Sequence, residues 1–175
     1  MSIKEMEYII DKMVADDWEQ IRSIYLEGIS TGHATFEADA PIWEEWDSSH
    51  MHECRLVART GNDVLGWAAL SPASNRCAYS GVAEVSVYVG GKYQGQGIGG
   101  ELLTSLIDES EKIGIWTLQV GIFPENINSI NLHKRYGFRE VGRREKLGKM
   151  SYGSLEGIWR DIVLMERRSK SVGTD

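Results

Sequence analysis

The chain has 175 residues, of which 42% are apolar and 26% are charged, and its formal net charge is −7. This length and balance predict one soluble globular domain with a single core. An acidic chain lacks the basic surface that nucleic-acid binding requires, and no apolar run approaches the ~18 residues that span a bilayer. The N-terminus carries acids and no apolar signal segment, so we expect a cytoplasmic protein that binds neither nucleic acid nor membrane.

The residue types that bind metals show no ligand spacing. Cys54 and Cys77 fit neither a metal knuckle nor a redox pair, so we interpret both as buried thiols of a reducing compartment. The four histidines form no recognised ligand pattern, and His50 and His52 are predicted to be solvated loop residues. The sequence therefore predicts no bound metal.

Two helices are predicted in the first third of the chain. Asp16 and Asp17 offer N-caps to the first helix, and Pro41 is a suitable first residue for a short second one. The apolar face of the first helix comprises Trp18, Ile21, Ile24, Tyr25 and Ile29. Five tryptophans are expected in the core or in an interface, namely Trp43, Trp46, Trp67, Trp116 and Trp159.

The middle of the chain alternates strands and turns before a long helix. Residues 55–59 and 64–70 are short apolar runs, and the turn-forming Gly61-Asn62-Asp63 between them predicts a hairpin. In the run 84–89, valines alternate with more polar residues, so one face of this strand should be buried. An apolar stripe at helical spacing over 98–113 predicts the long helix.

The last third continues the alternation. Residues 116–122 are predicted to form a strand, 128–136 a helix, and 138–141 and 158–165 the final strands. This order predicts an α/β fold in which helices cover the faces of a mixed sheet. We expect a single domain over residues 5–168, followed by a frayed polar tail over 169–175.

The glycine-rich segment Gln94-Gly95-Gln96-Gly97-Ile98-Gly99-Gly100 lies between the valine-rich strand and the long helix. Glycines let a ligand approach the backbone closely, and a helix start offers unpaired N–H groups and the positive end of the helix dipole. These features favour a phosphate or diphosphate site. The alternative is a glycine-rich loop with no ligand.

Three classes of cofactor use such a site. A nucleoside-triphosphate loop needs Lys-Ser/Thr after its last glycine, and here Glu101 follows Gly100. The segment matches the dinucleotide fingerprint by letter, but it lies mid-chain, and no acid closes the next strand. Coenzyme A is the third class.

Two motifs resemble those of the GNAT (GCN5-related N-acetyltransferase) superfamily. Gln94-x-x-Gly97-x-Gly99 is similar to its pyrophosphate motif, and Asn126-x-x-Ser129-x-x-x-His133-x-x-x-Gly137-Phe138 to its second cofactor motif. The resemblance covers Tyr8 to about Arg167. It implies a largely antiparallel central sheet that is splayed in the middle, acetyl-CoA as cosubstrate, and acetyl transfer to an amine.

Within that superfamily the chain most resembles the phosphinothricin, methionine sulfoximine and arsinothricin N-acetyltransferases. The similar pieces are Ala34-Thr35-Phe36-Glu37, Arg76-Cys77-Ala78-Tyr79, the run 84–89 and Trp159-x-Asp161. Two features depart from the branch: Ser80 stands where many phosphinothricin enzymes carry an arginine, and the segment 147–157 is longer. The resemblance implies a small amino-acid-like substrate, and a homodimer.

The resemblance also assigns the cofactor residues. The backbone of the strand would pair with the pantetheine amides, the amides of the glycine-rich loop would hold the pyrophosphate, and Asn126 would bond the pantetheine arm. A helix N-cap is the alternative role for Asn126. The implied cofactor-binding residues are Val87, Tyr88, Val89, Gln94, Gly95, Gln96, Gly97, Ile98, Gly99, Gly100, Asn126 and Ser129.

The expected chemistry needs a base for the amine and a proton for the departing thiolate. Glu84 is the candidate base, because a carboxylate on that strand would be partly desolvated and the matching family position carries the proposed base. A surface or ion-paired glutamate is the alternative. By resemblance His133 is a candidate acid, and a plain cofactor contact or helix-surface residue is its alternative. Tyr136 is interpreted as a core residue, and an amide near Val87 would meet the oxyanion.

The amine pocket is assigned less directly. By resemblance Phe36 and Glu37 line it, Tyr79 walls it, and Arg76 pairs with a substrate carboxylate or phosphinate, unless it is a solvated loop arginine. Two other functions stay open at this point. One is acetylation of another amine, such as a polyamine or a protein N-terminus, and the other is a non-catalytic acyl-CoA sensor.

Overall fold

A computed structural model describes residues 6–175 and contains one seven-stranded sheet with four α-helices. The first half of the chain forms β1 (Ile9–Lys12), α1 (Trp18–Ser30), α2 (Trp43–Ser49), β2 (Leu56–Thr60), β3 (Asp63–Pro72) and β4 (Val82–Val89). The second half forms α3 (Ile98–Lys112), β5 (Thr117–Ile122), α4 (Ile127–Arg135), β6 (Arg139–Lys149) and β7 (Trp159–Arg168).

The strands lie in the order β1-β2-β3-β4-β5-β7-β6. Neighbouring strands run antiparallel except β4 and β5, which are parallel because α3 connects them as a crossover. The sheet is therefore mixed and largely antiparallel, and the predicted fold class is confirmed.

Helices cover both faces of the sheet. The apolar stripe of α3, including Leu102 and Leu106, packs with Val85 of β4 and Leu118 of β5 in the larger core cluster. On the opposite face, α1 and α2 bury Ile21 and their tryptophans against β2 and β3. These two layers hold β4 rigidly in the centre of the molecule.

The sheet parts between β4 and β5. Their pairing covers only Val82–Thr117, Ala83–Leu118 and Glu84–Gln119. Beyond Glu84, β4 continues to Val89 on β3, while β5 continues to Ile122 on β7. The predicted splay is thus a fork that opens at Glu84.

Two elements differ from the sequence-based expectation. Strand β1 was not predicted, and β6 runs from Arg139 to Lys149, well beyond the predicted end at residue 141. Strand β6 is an exposed edge strand rich in charges, so it lacks the apolar alternation from which a strand is recognised.

The polar tail is attached rather than frayed. Ser169 is buried, and its hydroxyl donates to Oε1 of Glu111 on α3 at 2.8 Å. Arg168 donates to the carbonyl of Val172 at 2.8 Å, which folds the last residues back. The carboxylate of Glu111 accepts further hydrogen bonds from side chains at this end of the chain, which attach the tail to α3.

Two smaller expectations also need correction, on Cys77 and His50, while the tryptophans fit the core or leave surface for an interface. Cys54 is buried as predicted, but Cys77 is exposed in the loop between β3 and β4. His50 is half-buried, because its ring stacks on Trp46 at 4.1 Å. Trp46 and Trp67 are core residues, whereas Trp159 is 55% exposed on the edge hairpin β6–β7.

Candidate active site

The fork between β4 and β5 opens into a cleft of about 1720 Å³. Its walls come from the α1–α2 loop, β4, the start of α3, β5, α4 and the β6–β7 hairpin. Most of the predicted site residues line this cleft: Phe36, Glu37, Glu84, Val87, Tyr88, Val89, Gln94, Gly95, Gly97, Ile98, Gly99, Gly100, Asn126, Ser129 and His133.

The free edge of β4 faces the cleft with alternate residues. The backbone carbonyl of Val82 accepts from the N–H of Ala73, and the N–H of Gly90 donates to the carbonyl of Leu65. The even-numbered residues of β4 therefore direct their N–H and C=O groups to β3. The odd-numbered Val87 and Val89 therefore direct theirs into the fork, where β5 no longer pairs. This edge can accept an extended amide-containing ligand as an added strand would.

Tyr88 does not contribute its backbone to that edge. It pairs with Trp67 of β3, and the two rings stack at 4.9 Å. The predicted backbone contact of Tyr88 with pantetheine is therefore wrong for the fork edge, because its N–H and C=O point to β3. Its side chain instead lies in the wall of the cleft against Tyr25.

The glycine-rich loop enters α3 through two left-handed residues. Gly95 has φ of +76° and Gly97 of +85°, and a Cβ on either would meet open space rather than protein. The first N–H groups of α3 lie beyond this turn in the cleft wall, where an anion can reach them. The open space beside Gly95 and Gly97 and the N–H groups of the helix start are the features that an anion site needs.

The other members of the loop have distinct positions. Gln94 donates from Nε2 to the carbonyl of Val89 at 3.3 Å, and Gln96 donates to Lys92 and does not line the cleft. The side chain of Ile98 is buried in the core. A Cβ on Gly100 would lie 2.3 Å from the hydroxyl of Tyr136, so only glycine fits there.

Asn126 is the N-cap of α4. Its Oδ1 accepts from the backbone N–H of Ser129 at 3.2 Å, and its Nδ2 donates to the carbonyl of His33 at 3.2 Å. The structure thus supports the capping role that the sequence left as an alternative. The cap also ties α4 to the α1–α2 loop.

Glu84 lies where the fork begins. Its Oε2 accepts from Nε2 of Gln119 on β5 at 3.4 Å, and Ser71 is its neighbour on β3. The side chain is exposed, so the partial desolvation expected for it is absent from this structure. The parting of the strands leaves the carboxylate open to the cleft.

His133 is 3% exposed and its ring packs edge-on against Phe138 at 5.0 Å. Its Nδ1 lies 2.7 Å from the carbonyl of Ser129, so Nδ1 carries the proton and donates it. Nε2 is enclosed and has no hydrogen-bond partner in the described part of the chain. Burial lowers the pKa of His133 below its ordinary value. A neutral ring that holds its proton on Nδ1 and encloses Nε2 is not suited to donate a proton to the thiolate.

The α1–α2 loop carries two of the predicted pocket residues. Phe36 packs on Phe123 at 4.9 Å, and the neighbouring Glu37 is exposed in the cleft. The hydroxyl of Tyr152, in the longer segment 147–157, donates to the carbonyl of Thr35 at 2.7 Å. The longer segment therefore holds this loop in place.

Arg76 and Tyr79 do not join the cleft. Both are exposed on the β3–β4 loop, with the guanidinium of Arg76 5.9 Å from the Tyr79 ring centre, and neither lines the cleft. Sequence reasoning also missed Arg160, which is buried beside the α1–α2 loop. Its in-phase position with Ile162 on an apolar strand was the available signal.

Residues 6–175 contain neither a metal-binding cluster nor a membrane-spanning helix. Within that range no group of His, Cys, Asp and Glu is arranged to hold a metal ion. The same part of the chain contains no helix long and apolar enough to cross a bilayer.

A β4–β5 fork, a free strand edge and a glycine-rich helix start define an acyl-CoA-dependent acetyltransferase fold. The sequence profile of the acetyltransferase (GNAT) family matches residues 16–138. The chain belongs to this family and is an acetyl-CoA-dependent N-acetyltransferase. The resemblance found in the sequence is confirmed.

Individual relatives are similar over most of the chain. Phosphinothricin N-acetyltransferase of Streptomyces coelicolor is 31% identical over 162 residues, covering 88% of this chain and 92% of that protein. L-methionine sulfoximine/L-methionine sulfone acetyltransferase of Pseudomonas aeruginosa is 27% identical, covering 74% and 72%. A Sinorhizobium meliloti phosphinothricin acetyltransferase solved with AcCoA superposes with a TM-score of 0.80 at 27% identity, covering 97% of each chain.

Proposed function

We propose that this enzyme acetylates the α-amine of a small amino-acid-like molecule of the phosphinothricin, methionine sulfoximine or arsinothricin type. The observation that carries the proposal is the fork, which brings the open edge of Val87 and Val89 and the carboxylate of Glu84 to one cleft. Relatives named for phosphinothricin and methionine sulfoximine support the substrate class.

Acetyl-CoA supplies the thioester carbonyl that the amine attacks. Val87 and Val89 hold the pantetheine arm through their fork-facing backbone groups, and the amides from Gly95 to Gly100 hold the diphosphate. The N–H of Val87 also meets the developing oxyanion. This division fits the left-handed glycines and the free edge of β4.

Glu84 acts as general base. It takes a proton from the amine, directly or through water, as the C–N bond forms; the tetrahedral intermediate then collapses, the C–S bond breaks, and coenzyme A leaves as a thiolate that takes its proton from solvent. Gln119, at 3.4 Å, orients the carboxylate toward the fork. His133 holds the α4 turn and packs the cofactor side of the cleft, because its enclosed Nε2 is not placed to protonate a thiolate.

Phe36 and Glu37 form the amine end of the pocket, where the aromatic ring gives an apolar wall and the carboxylate attracts an ammonium group. Arg76 and Tyr79 take no part in this pocket, because both are exposed on the β3–β4 loop outside the cleft.

A polyamine is a second candidate substrate. Glu37, Glu45 and Glu84 line the cleft and form no ion pair among the described residues, which favours a cationic molecule. Arg135 and Arg144 are the lining arginines in the described chain that a substrate or cofactor anion can use.

A panel of amines with thiol release as the readout tests the substrate class. Phosphinothricin, methionine sulfoximine, arsinothricin, common amino acids and spermidine should be compared at saturating acetyl-CoA. We expect the highest kcat/KM for one of the first three. A strong preference for spermidine would replace the amino-acid assignment.

Glu84→Gln tests the base. We expect kcat to fall by roughly two to four orders of magnitude at neutral pH while acetyl-CoA affinity is retained, because only proton abstraction is lost. Glu140→Gln, on the exposed edge strand and outside the cleft, is the control and should match the unmodified enzyme. Equal turnover of the two variants would remove Glu84 from the mechanism.

A further inference from the structure

Arg160 is a charged residue inside the molecule. It is 4% exposed on β7, and its guanidinium lies 3.9 Å from the centre of the Phe123 ring. It pairs in register with Gly148 of β6, where a Cβ would lie 2.8 Å from the ring of Phe36. The side chain therefore lies beneath the wall of the amine pocket.

The guanidinium donates to three acceptors on two loops. Nη1 donates to the carbonyl of Gly32 at 2.8 Å, and Nη2 donates to Nδ1 of His33 at 3.0 Å and to Oε2 of Glu125 at 3.2 Å. Gly32 and His33 belong to the α1–α2 loop, and Glu125 belongs to the β5–α4 loop. Arg160 thus joins the loop of Phe36 to the loop that starts α4.

The same α1–α2 loop has two other tethers. Asn126 donates to the carbonyl of His33, and Tyr152 donates to the carbonyl of Thr35. Within residues 6–175, Arg160 is the one side chain that bonds this loop and also Glu125, the acidic residue that precedes the α4 cap. Its planar group reaches acceptors in different directions, which a lysine ammonium on a flexible stem cannot reproduce.

We propose that Arg160 is a positioning residue, which locks the α1–α2 loop to the start of α4 and so fixes Phe36 and Glu37 against the cofactor side of the cleft. The inference rests on the proposed function for the meaning of that pocket. It assigns no contact between Arg160 and substrate. Because Arg160 donates to Nδ1 of His33, it also leaves Nε2 of His33 as the N–H donor when that ring is neutral.

Arg160→Lys and Arg160→Met test the lock, and Arg59→Lys is the matched control. Arg59 is also a mostly buried arginine, paired with Asp17 and Asp11, and none of these three residues lines the cleft. We expect the Arg160 variants to lose about ten- to hundredfold in kcat/KM for the amine through misplacement of the pocket loop. Arg59→Lys should lower the unfolding temperature without changing the amine KM.

Two readouts that do not depend on amine turnover separate positioning from general destabilisation. Hydrogen exchange of backbone amides 33–37 should be faster in Arg160→Lys, with exchange over 95–100 unchanged. Acetyl-CoA affinity by calorimetry should stay within about twofold, since the diphosphate loop makes no contact with Arg160. Unchanged exchange at 33–37, or the same amine KM as Arg59→Lys, would overturn the proposal.

Glu125→Gln is the milder variant if Arg160 is needed for folding. Its side chain is 55% exposed, so folding should tolerate the change, and the substitution weakens one arm of the lock. We expect a smaller rise in amine KM and a smaller increase in exchange at 33–37; the absence of both effects would contradict the proposal. An enzyme that acetylates no amine on the panel would refute the proposed function, while the exchange data would still decide the role of Arg160.

Discussion

His133 illustrates how one hydrogen bond decides what a residue can do. Its Nδ1 donates to the carbonyl of Ser129, and burial lowers its pKa, so at neutral pH the ring is uncharged with its proton on Nδ1. The motif that carries His133 predicts a place on α4, but its tautomer and enclosure depend on Ser129 and Phe138.

His133→Asn tests this reading of the ring. An asparagine amide can still donate to the carbonyl of Ser129, so we expect kcat to fall by less than about tenfold and the shape of the pH–rate profile to be retained. A loss comparable to that of Glu84→Gln, together with loss of the alkaline limb of the profile, would show that His133 is the acid. The measurement is thiol release at fixed times across the pH range.

At the scale of elements, the junction between β4 and α3 forms the anion site. The strand ends at Val89, a single helical turn follows at Gly91–Tyr93, and left-handed Gly97 turns the chain into α3. Gly100, in the first turn of α3, leaves room for the hydroxyl of Tyr136 from the end of α4. The anion site therefore depends on the strand end, the turn and the helix start together.

Gly97→Ala tests the junction. A left-handed φ costs a residue with a Cβ roughly 1–2 kcal/mol, so we expect a loss of that size in unfolding free energy, and weaker acetyl-CoA binding as the turn relaxes. Gly142→Ala is the control, because it lies on β6 with open space around its Cβ position and no left-handed φ. Calorimetry and urea unfolding check both; equal acetyl-CoA affinity in the two variants would contradict the assignment.

At the scale of the whole molecule, the buried His133 and the half-buried His50 make folding depend on pH. Burial lowers the pKa of both His50 and His133 below 6.5. The folded chain therefore binds fewer protons than the unfolded chain as the pH falls below about 6.5, and stability is lost in that direction. Carboxylates with lowered pKa, such as Glu111, add their own loss only below about 4.5.

We expect the unfolding free energy to decrease from about pH 7 to pH 5, with a slope of at most about 1.4 kcal/mol per pH unit for each histidine. The double variant His50→Asn/His133→Asn should flatten this dependence. His52→Asn, whose side chain is 78% exposed, is the control and should keep it. If the unfolding free energy of the double variant keeps the same slope with pH, groups other than these two histidines take up the protons.

The homodimer remains a prediction from the family resemblance. Strand β6 is an exposed edge of the sheet, and Trp159, Val141 and Leu147 expose apolar surface on the same hairpin. An interface would find its apolar surface there.

Some segments were predicted accurately from the sequence and others were not. The valine-rich strand and the helix over 98–112 were predicted almost to the residue, because burial of one face imposes a period on the sequence. Strand β6 was mostly missed, since an exposed edge imposes no such period. Phe36 and Glu37 line the cleft, and their role in the amine pocket stays a prediction, whereas Arg76 and Tyr79 lie outside it, because the path of an exposed loop leaves little trace in local sequence.

The sequence by itself determined the order of elements, the glycine-rich helix start and membership of the GNAT family, because each depends on local periodicity or on residues adjacent in the chain. Only the tertiary structure decided where β4 and β5 part, which backbone groups of β4 face the fork, and that Arg160 joins two loops. These features depend on hydrogen bonds between residues far apart in the chain, which no single segment encodes.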